Sequence, residues 1–278
     1  MRCLYVDLDG TLLGPGGSLL AGVDGGFALD GARALQACAR AGAEVVIYSG
    51  RRQRSVVEAA RLIGQRSYIF ELGCGLVLDG ELEWLTDGVE PSAERGTIFD
   101  QIAASGAPEL LLERFAGRLE YHTPWSVGRE VSHLFRGEVD LQEVWAVLAG
   151  GGFEWLRLVD NGVLAAHGVT LDGSAFGLAA SRVHAYHLIP AGASKARAVA
   201  RHMQNRGYAA ADCIAVGDSR EDMDAAEVVG CFWLVRNGLD RDPGLAVEVG
   251  ARGPRVRVAS EAYGAGVYEA VVTTLAER

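Results

Sequence analysis

The sequence predicts an α/β fold: a Rossmann-like, mainly parallel sheet interrupted by an inserted α+β domain. Three observations lead there. Towards both ends of the chain, short apolar runs alternate with stretches of helical period, the pattern of βαβ units. In the middle, Asp79-Gly80 and Asn161-Gly162 each stand between alternating segments, the signature of tight antiparallel hairpins. The chain has 278 residues, 49% of them hydrophobic, enough for two unequal units that each bury a core. The expected division is 1–84, an inserted domain at 85–184, and a return to the first domain at 185–278.

Taken in order, residues 3–7 read as a buried strand, followed by a Gly-rich loop or flap from Gly10 to Gly26. Asp30 opens a helix with Leu35, Cys38 and Ala39 on one face, ended at Gly42, where a left-handed cap costs least. A strand at 44–48, a helix from Gln53 to Ile63 and a strand from Tyr68 to Leu72 complete a regular run. Gly75–Leu78 with Leu82–Leu85, and Trp155–Val159 with Val163–Ala166, form the two predicted hairpins. Helical patterns lie between them near 93–104 and 140–149. From Tyr186-His-Leu-Ile onward the parallel character is expected to return: helix 194–206, strand 212–217, helix 221–229, strands 231–235 and 255–258, and a final helix from Tyr263.

Composition excludes several classes of function. The net charge is -10, and neither end carries a Lys/Arg run suited to a phosphate backbone, so no nucleic-acid partner is expected. Five scattered cysteines without a C-x-x-C pair fit reduced thiols rather than a disulfide framework or zinc knuckle, which points to the cytoplasm. The apolar stretch before Asp7 and Asp9 is too short for a signal peptide. No window reaches the roughly 18 to 20 apolar residues of a membrane span; the nearest, 162–181, is broken by Gly, His167 and Asp172. A soluble protein with no membrane association is expected.

The chemistry concentrates at strand ends. Asp7-Leu8-Asp9-Gly10-Thr11 ends the first strand, where open parallel sheets place ligands. Two carboxylates this close imply either a cation such as Mg²⁺ or a shared proton, whereas an isolated Asp-x-Asp-Gly is as readily a polar turn. Val45-Val46-Ile47-Tyr48-Ser49-Gly50-Arg51 repeats the design, ending in a hydroxyl and a Gly that lets backbone N–H groups approach an anion. Cys213-Ile-Ala-Val-Gly217-Asp218 is a further apolar strand ending in acid, with Asp222 one helical turn on. Lys195 opens a helix against the macrodipole preference, a local inconsistency that active sites tolerate.

These four segments, in this order, resemble the motifs of the haloacid dehalogenase-like hydrolase superfamily. The motif positions are Asp7/Asp9, Ser49, Lys195 and Asp218/Asp222, and the resemblance covers about 1–84 and 185–278. Only 39 residues separate Asp9 from Ser49 while 145 separate Ser49 from Lys195, so the insertion resembles a type IIB (C2) cap. The resemblance implies a Mg²⁺-dependent phosphatase with Asp7 as nucleophile and Asp9 as general acid and base. It implies Mg²⁺ held by Asp7, the Asp9 backbone carbonyl and Asp218, with Asp222 taking a metal-bound water or Lys195. Gly10, Ser49, Gly50 and Lys195 would bind phosphate. An acid at Asp9 favours a phosphate ester over a halide, which leaves without a proton. Glu221 stands where many relatives have Asn.

Specificity is expected in the insertion, where His122, Arg129, His133 and Arg136 form the densest cationic and imidazole group. With Ser132 they could grip a phosphorylated sugar or sugar acid, Arg129 binding a carboxylate bidentately. The alternative is a solvated strand face paired with Glu120, Glu130 and Glu138. Arg129-Glu-Val-Ser-His-Leu-Phe is similar to a cap segment of mannosyl-3-phosphoglycerate phosphatases, though His133-Leu134 replaces Glu-Pro and Val131 an aromatic. Trp125, Trp145 and Trp155 could stack on a sugar, the last two reading better as cap core. The expected partner is a small phosphorylated substrate. A phosphosugar mutase and a non-catalytic ligand-binding regulator are the rival readings.

Overall fold

A computed structural model describes residues 1–166 and 169–277, so His167 lies outside the described residues. The chain divides into two units, Met1–Glu83 with Ser194–Arg278, and Trp84–Ala193. Among the described residues no helix is long and apolar enough to cross a membrane.

The first unit starts with β1 (Cys3–Val6), α1 (Asp30–Arg40), β2 (Glu44–Tyr48), α2 (Gln53–Leu62), β3 (Tyr68–Phe70), β4 (Gly75–Leu78) and β5 (Glu81–Trp84). All four residues of β1 are fully buried, as a strand covered on both faces requires. The predicted third strand stops at Phe70 because Glu71 and Leu72 take positive φ (45° and 58°) in a tight turn. Gly73 then presses on the backbone of Ser194, leaving no room for a Cβ. The predicted Asp79-Gly80 hairpin is present, both turn residues at positive φ (53° and 99°). On α1 the buried face is Gly31, Ala34 and Cys38, not Leu35, Cys38 and Ala39. The reason is close packing on the last helix, where a Cβ on Gly264 would meet Gly31 backbone at 2.8 Å.

The inserted unit holds α3 (Ile98–Ser105), α4 (Ala107–Arg114), β6 (Leu119–Tyr121), β7 (His133–Gly137), α5 (Leu141–Gly150), β8 (Leu156–Val163), the short β9 (Ala165–Ala166) and β10 (Val169–Thr170), and β11 (His184–Pro190). Its main sheet runs β6-β7-β11-β8 with every pair antiparallel. Two expectations fail here. Asn161-Gly162 is not a hairpin turn but a bulge within β8: two residues there oppose Ala185 alone between the His184–Val163 and Tyr186–Asp160 pairs. Asp160 Oδ1 accepts from Gly162 N at 2.8 Å, and Gly162 has φ 98°, so the Asn-Gly signal reflects local backbone need without chain reversal. The segment from Tyr186 does not return to the parallel sheet either. It pairs with β7 and β8, which moves the second boundary from 184 to 193.

The chain re-enters the first unit with α6 (Lys195–Arg206), β12 (Cys213–Gly217), α7 (Arg220–Met223), β13 (Cys231–Leu234), α8 (Arg236–Arg241), α9 (Leu245–Arg252), β14 (Val256–Val258) and α10 (Tyr263–Ala276). The expected helix 221–229 is α7 followed by a 3-10 turn, Asp224–Glu227. The sheet order is β14-β13-β12-β1-β2-β3-β4-β5, parallel from β14 to β3 and antiparallel from β3 to β4. Strands from the two halves of the chain thus meet at β1, which lies between β12 and β2. That reversal of winding opens a crevice at the carboxyl ends of the strands, the ligand position of open α/β sheets.

Candidate active site

Asp7 follows the last residue of β1, Ser49 the last of β2 and Asp218 the last of β12, so three neighbouring strands deliver their polar ends to one edge. Lys195 reaches that edge from the first turn of α6. Its Nζ donates to Asp7 Oδ1 at 3.0 Å and Asp222 Oδ1 at 2.5 Å, and lies 3.7 Å from Glu221 Oε2. It also stands 5.0 Å from the centre of the Tyr48 ring. Lys195 is 1% exposed, so it is no solvated surface lysine. Burial alone would lower its pKa, but Asp222, Asp7 and Glu221 outweigh burial and hold it above the ordinary lysine value. Ser194, the N-cap, accepts from Arg197 N at 3.1 Å and sets where the helix starts.

Asp222 is fully engaged by protein donors. Oδ1 takes Lys195, and Oδ2 accepts from Asp218 N (3.2 Å), Ser219 N (3.1 Å) and Ser219 Oγ (2.6 Å) in a capping box. Its part is therefore to hold Lys195 and shape the Asp218 loop. Glu221 joins it, with Oε1 accepting from Lys195 N at 3.2 Å. Asp218 Oδ2 accepts from Arg241 Nη2 at 2.5 Å, and Asn237 Nδ2 donates to Gly10 O at 2.7 Å. Arg241 and Asn237, on α8, are residues the sequence reading missed; that helix carries too short a periodic pattern to stand out. Gly10, at φ 81°, passes so near Asp218 that a Cβ would lie 2.2 Å from Oδ2.

Asp7, Asp218 and Asp222 place one carboxylate oxygen each within 4.8 Å of the others, all three buried. Burial pushes the Asp7 and Asp218 carboxyls above the usual carboxylate range. Lys195 opposes this at Asp7, where Asp222, Asp218 and Asp9 reinforce it, and Arg241 opposes it at Asp218. Four acids, counting Glu221, face two cations, Lys195 and Arg241. That surplus of buried negative charge and an all-oxygen donor set fit a hard divalent ion such as Mg²⁺.

Asp9 differs from Asp7 although alternation sends both from one strand end. Its side chain is 58% exposed and is gripped bidentately by Arg51, Nε to Oδ2 at 2.6 Å and Nη2 to Oδ1 at 2.5 Å. Arg51 belongs to the Ser49-Gly50-Arg51 turn, in which Ser49 Oγ accepts from Arg51 N at 3.2 Å. Ser49 itself is buried.

The candidates in the inserted unit separate into distinct roles. His133 is enclosed: its ring stacks 3.8 Å from Phe99, Nδ1 pairs with Tyr121 Oη and Nε2 with Phe99 O, both at 3.0 Å. That places it in the core of the unit rather than in contact with a substrate. Arg136 donates to Glu120 at 2.6 Å and covers the Phe176 ring, the paired-charge alternative. Arg129 is buried, Nε donating to Ser132 Oγ (2.7 Å) and Nη1 to Trp125 O (3.3 Å); Ser132 Oγ also pairs with His187 Nδ1 at 3.0 Å. His187 joins this cluster from β11, a contact that needed the antiparallel register. Burial, then Arg136 and Arg129, lower the His122 pKa to about 4, so it is neutral at pH 7. Trp125 is exposed, and Trp145 donates to Leu158 O at 3.3 Å.

No protein-family model matches the chain, and no curated protein sequence matches it. Solved structures do. The sucrose-phosphatase of Synechocystis sp. PCC6803, solved with sucrose and phosphate, aligns over 99% of this chain and 98% of its own with TM-score 0.64 and 16% identity. A phosphatase of the haloalkanoate enzyme superfamily from Bacteroides thetaiotaomicron aligns over 99% and 95%, with TM-score 0.61 and 15% identity. A haloacid dehalogenase-like hydrolase from B. subtilis aligns over 99% of both chains, with TM-score 0.58 and 16% identity. The parallel sheet with its inserted antiparallel unit is the fold of the haloacid dehalogenase-like hydrolases.

Proposed function

We propose that this protein is a Mg²⁺-dependent phosphomonoesterase acting on a small phosphorylated metabolite, of sugar-phosphate or phosphoglycerate type. The observation that carries the reading is the buried Lys195 bridging Asp7 and Asp222 beside Asp218, at the carboxyl ends of the central strands. Mg²⁺ held by Asp7, Asp218 and the Asp9 backbone carbonyl would supply charge neutralisation, letting an anionic carboxylate and an anionic phosphate approach. An Asp7 oxygen attacks phosphorus, the bond from phosphorus to the ester oxygen breaks, and Asp9 gives the departing alkoxide its proton. Water then attacks the aspartyl-phosphate, Asp9 takes its proton, and inorganic phosphate leaves as Asp7 is restored. Arg51 aims the Asp9 carboxylate. Ser49, with the Gly10 and Gly50 backbone, binds phosphoryl oxygens. Lys195 offsets charge on nucleophile and phosphate, the electrostatic contribution that dominates phosphoryl transfer. In the inserted unit, Arg129 and His122 are the residues assigned to the remainder of the substrate, with Ser132 holding Arg129.

The test is phosphate release from a panel of sugar phosphates, phosphoglycerates, nucleotides and an aryl phosphate, with and without Mg²⁺, in wild type and Asp7→Asn. Mg²⁺-dependent release that disappears in Asp7→Asn is expected. Conversion of a sugar monophosphate to its isomer only with a bisphosphate primer would replace this reading by the mutase, and no turnover of any ester by the regulator.

A further inference from the structure

At the other edge of the same sheet, three neighbouring strands begin with metal-ligating side chains at one level. Cys3 opens β1, Glu44 opens β2 and Cys213 opens β12; Cys3 pairs in register with both of the others. Alternation along β1 puts Cys3, Tyr5 and Asp7 on one face, spanning about 13 Å. Along α6, Lys195 and His202 lie seven residues apart, two turns and about 10 Å. The matched spacing brings Lys195 to Asp7 at one edge and His202 to Cys3 and Glu44 at the other.

His202 is fully buried, and its two ring nitrogens have different surroundings. Nδ1 pairs with Tyr5 Oη at 2.8 Å, while Nε2 has no hydrogen-bond partner. Nε2 lies 3.6 Å from Glu44 Oε1, beyond hydrogen-bonding distance. Ligand atoms of Cys3, Glu44 and His202 all fall within 4.8 Å of one another. Cys213 is the in-register neighbour of Cys3 on β12. Glu44 is itself held by Arg206 Nη2 and Tyr208 Oη, each at 2.9 Å, as ligating carboxylates commonly are. If Nδ1 gives its proton to Tyr5, the Nε2 lone pair faces a carboxylate and the Cys3 sulfur, an arrangement that calls for a cation at its centre.

We propose that Cys3, Glu44 and His202, completed by Cys213, form a structural site for a zinc-class divalent ion at the amino-terminal edge of the parallel sheet. Sulfur and imidazole select zinc over magnesium, whereas the Asp7 cluster offers only oxygen. Tyr5 supplies the outer hydrogen bond that fixes the His202 tautomer. Binding displaces the Cys3 and Cys213 thiol protons to solvent, and the two thiolates and Glu44 are balanced by the metal and Arg206. Because the site is buried, the ion is taken up as the chain folds. The proposal does not depend on the phosphatase reading.

The test is to refold the full chain with one equivalent of Zn²⁺ or Co²⁺, desalt it, and measure bound metal together with the cobalt spectrum. Stoichiometric retention and an intense thiolate-to-cobalt charge-transfer band are expected, both preserved in Asp218→Asn and both lost in Cys3→Ser. Tyr5→Phe, which leaves all four ligands, is expected to weaken zinc binding about 10- to 100-fold. Should Cys3→Ser fail to fold, nitrogen NMR of histidine-labelled wild type decides: Nε2 of His202 without a proton in the zinc-loaded protein supports the site. A doubly protonated His202, a spectrum without the charge-transfer band, or a mass showing Cys3 and Cys213 joined as a disulfide would overturn it.

Discussion

Gly10→Ala separates the geometry of the site from the stability of the fold. A Cβ there would lie 2.2 Å from Asp218 Oδ2 and 3.0 Å from its Cγ, where ordinary contacts run from 3.4 to 4 Å. Asp218 must therefore withdraw by about 1.2 Å, the gap between 2.2 and 3.4 Å. A misplacement of about 1 Å in a catalytic constellation can cost about 100-fold in rate. Alanine at φ 81° also carries left-handed strain, about 1–2 kcal/mol, which in a chain of this size lowers Tm by about 2–4 °C per kcal/mol. Gly42→Ala supplies the control. Gly42 has φ 67° and nothing within 4 Å of its Cβ position, so it carries the strain without the collision. Phosphate release titrated with Mg²⁺, alongside thermal melts, reads both quantities. The expected result is similar Tm losses in the two variants, with kcat/KM down about 100-fold and Mg²⁺ affinity weakened in Gly10→Ala alone. Equal activities, or an unchanged Mg²⁺ requirement in Gly10→Ala, would refute the placement of Asp218 at the reacting centre.

Three other outcomes follow from the same geometry. Asp9→Asn, at a position 58% exposed, should leave Tm nearly unchanged yet slow alkyl phosphates by about 10²–10⁴; an aryl phosphate, whose leaving group needs little protonation, should suffer far less, and equal losses would remove Asp9 from the acid role. Lys195→Met leaves Asp7 and Asp222 without their shared cation and should cost about 3–5 kcal/mol, partly restored by adding Asp222→Asn; denaturant melts of single and double variants measure that coupling. Burial, with Arg136 and Arg129, holds the His122 pKa down at about 4 against an ordinary 6.5, so the unfolded chain takes up a proton first as pH falls. Its contribution is absent above pH 6.5 and becomes increasingly destabilising towards pH 4, so His122→Asn should flatten Tm against pH in that window, and an unchanged slope would disprove the assignment.

What the sequence determined by itself was whatever depends on residues near one another in the chain. Apolar runs such as Cys3–Val6 and Val45–Tyr48 fix strands through their period, and acids directly after apolar strands mark where chemistry collects. The Asp79-Gly80 hairpin was legible for the same reason, since the turn residues alone choose that conformation. Asn161-Gly162 carries the same local signal, but a positive φ serves a bulge as well as a turn, and only pairing with β11 decides between them. The destination of His184–Pro190 was equally hidden, because an apolar strand does not say which sheet will accept it.

Only the tertiary structure gave Asp7 and Asp9, two residues apart in one motif, their different surroundings. Burial against Lys195 and Asp222 sets the first, and exposure with Arg51 across its carboxylate sets the second. It likewise turned His133 from a possible ligand contact into a core ring stacked on Phe99, and brought Arg241 and Asn237 to Asp218 and Gly10. Cys3, Glu44, His202 and Cys213 span more than two hundred positions of sequence. No local pattern joins them; they meet because parallel strands begin in register and two turns of α6, from Lys195 to His202, run close to the length of β1 between Asp7 and Cys3.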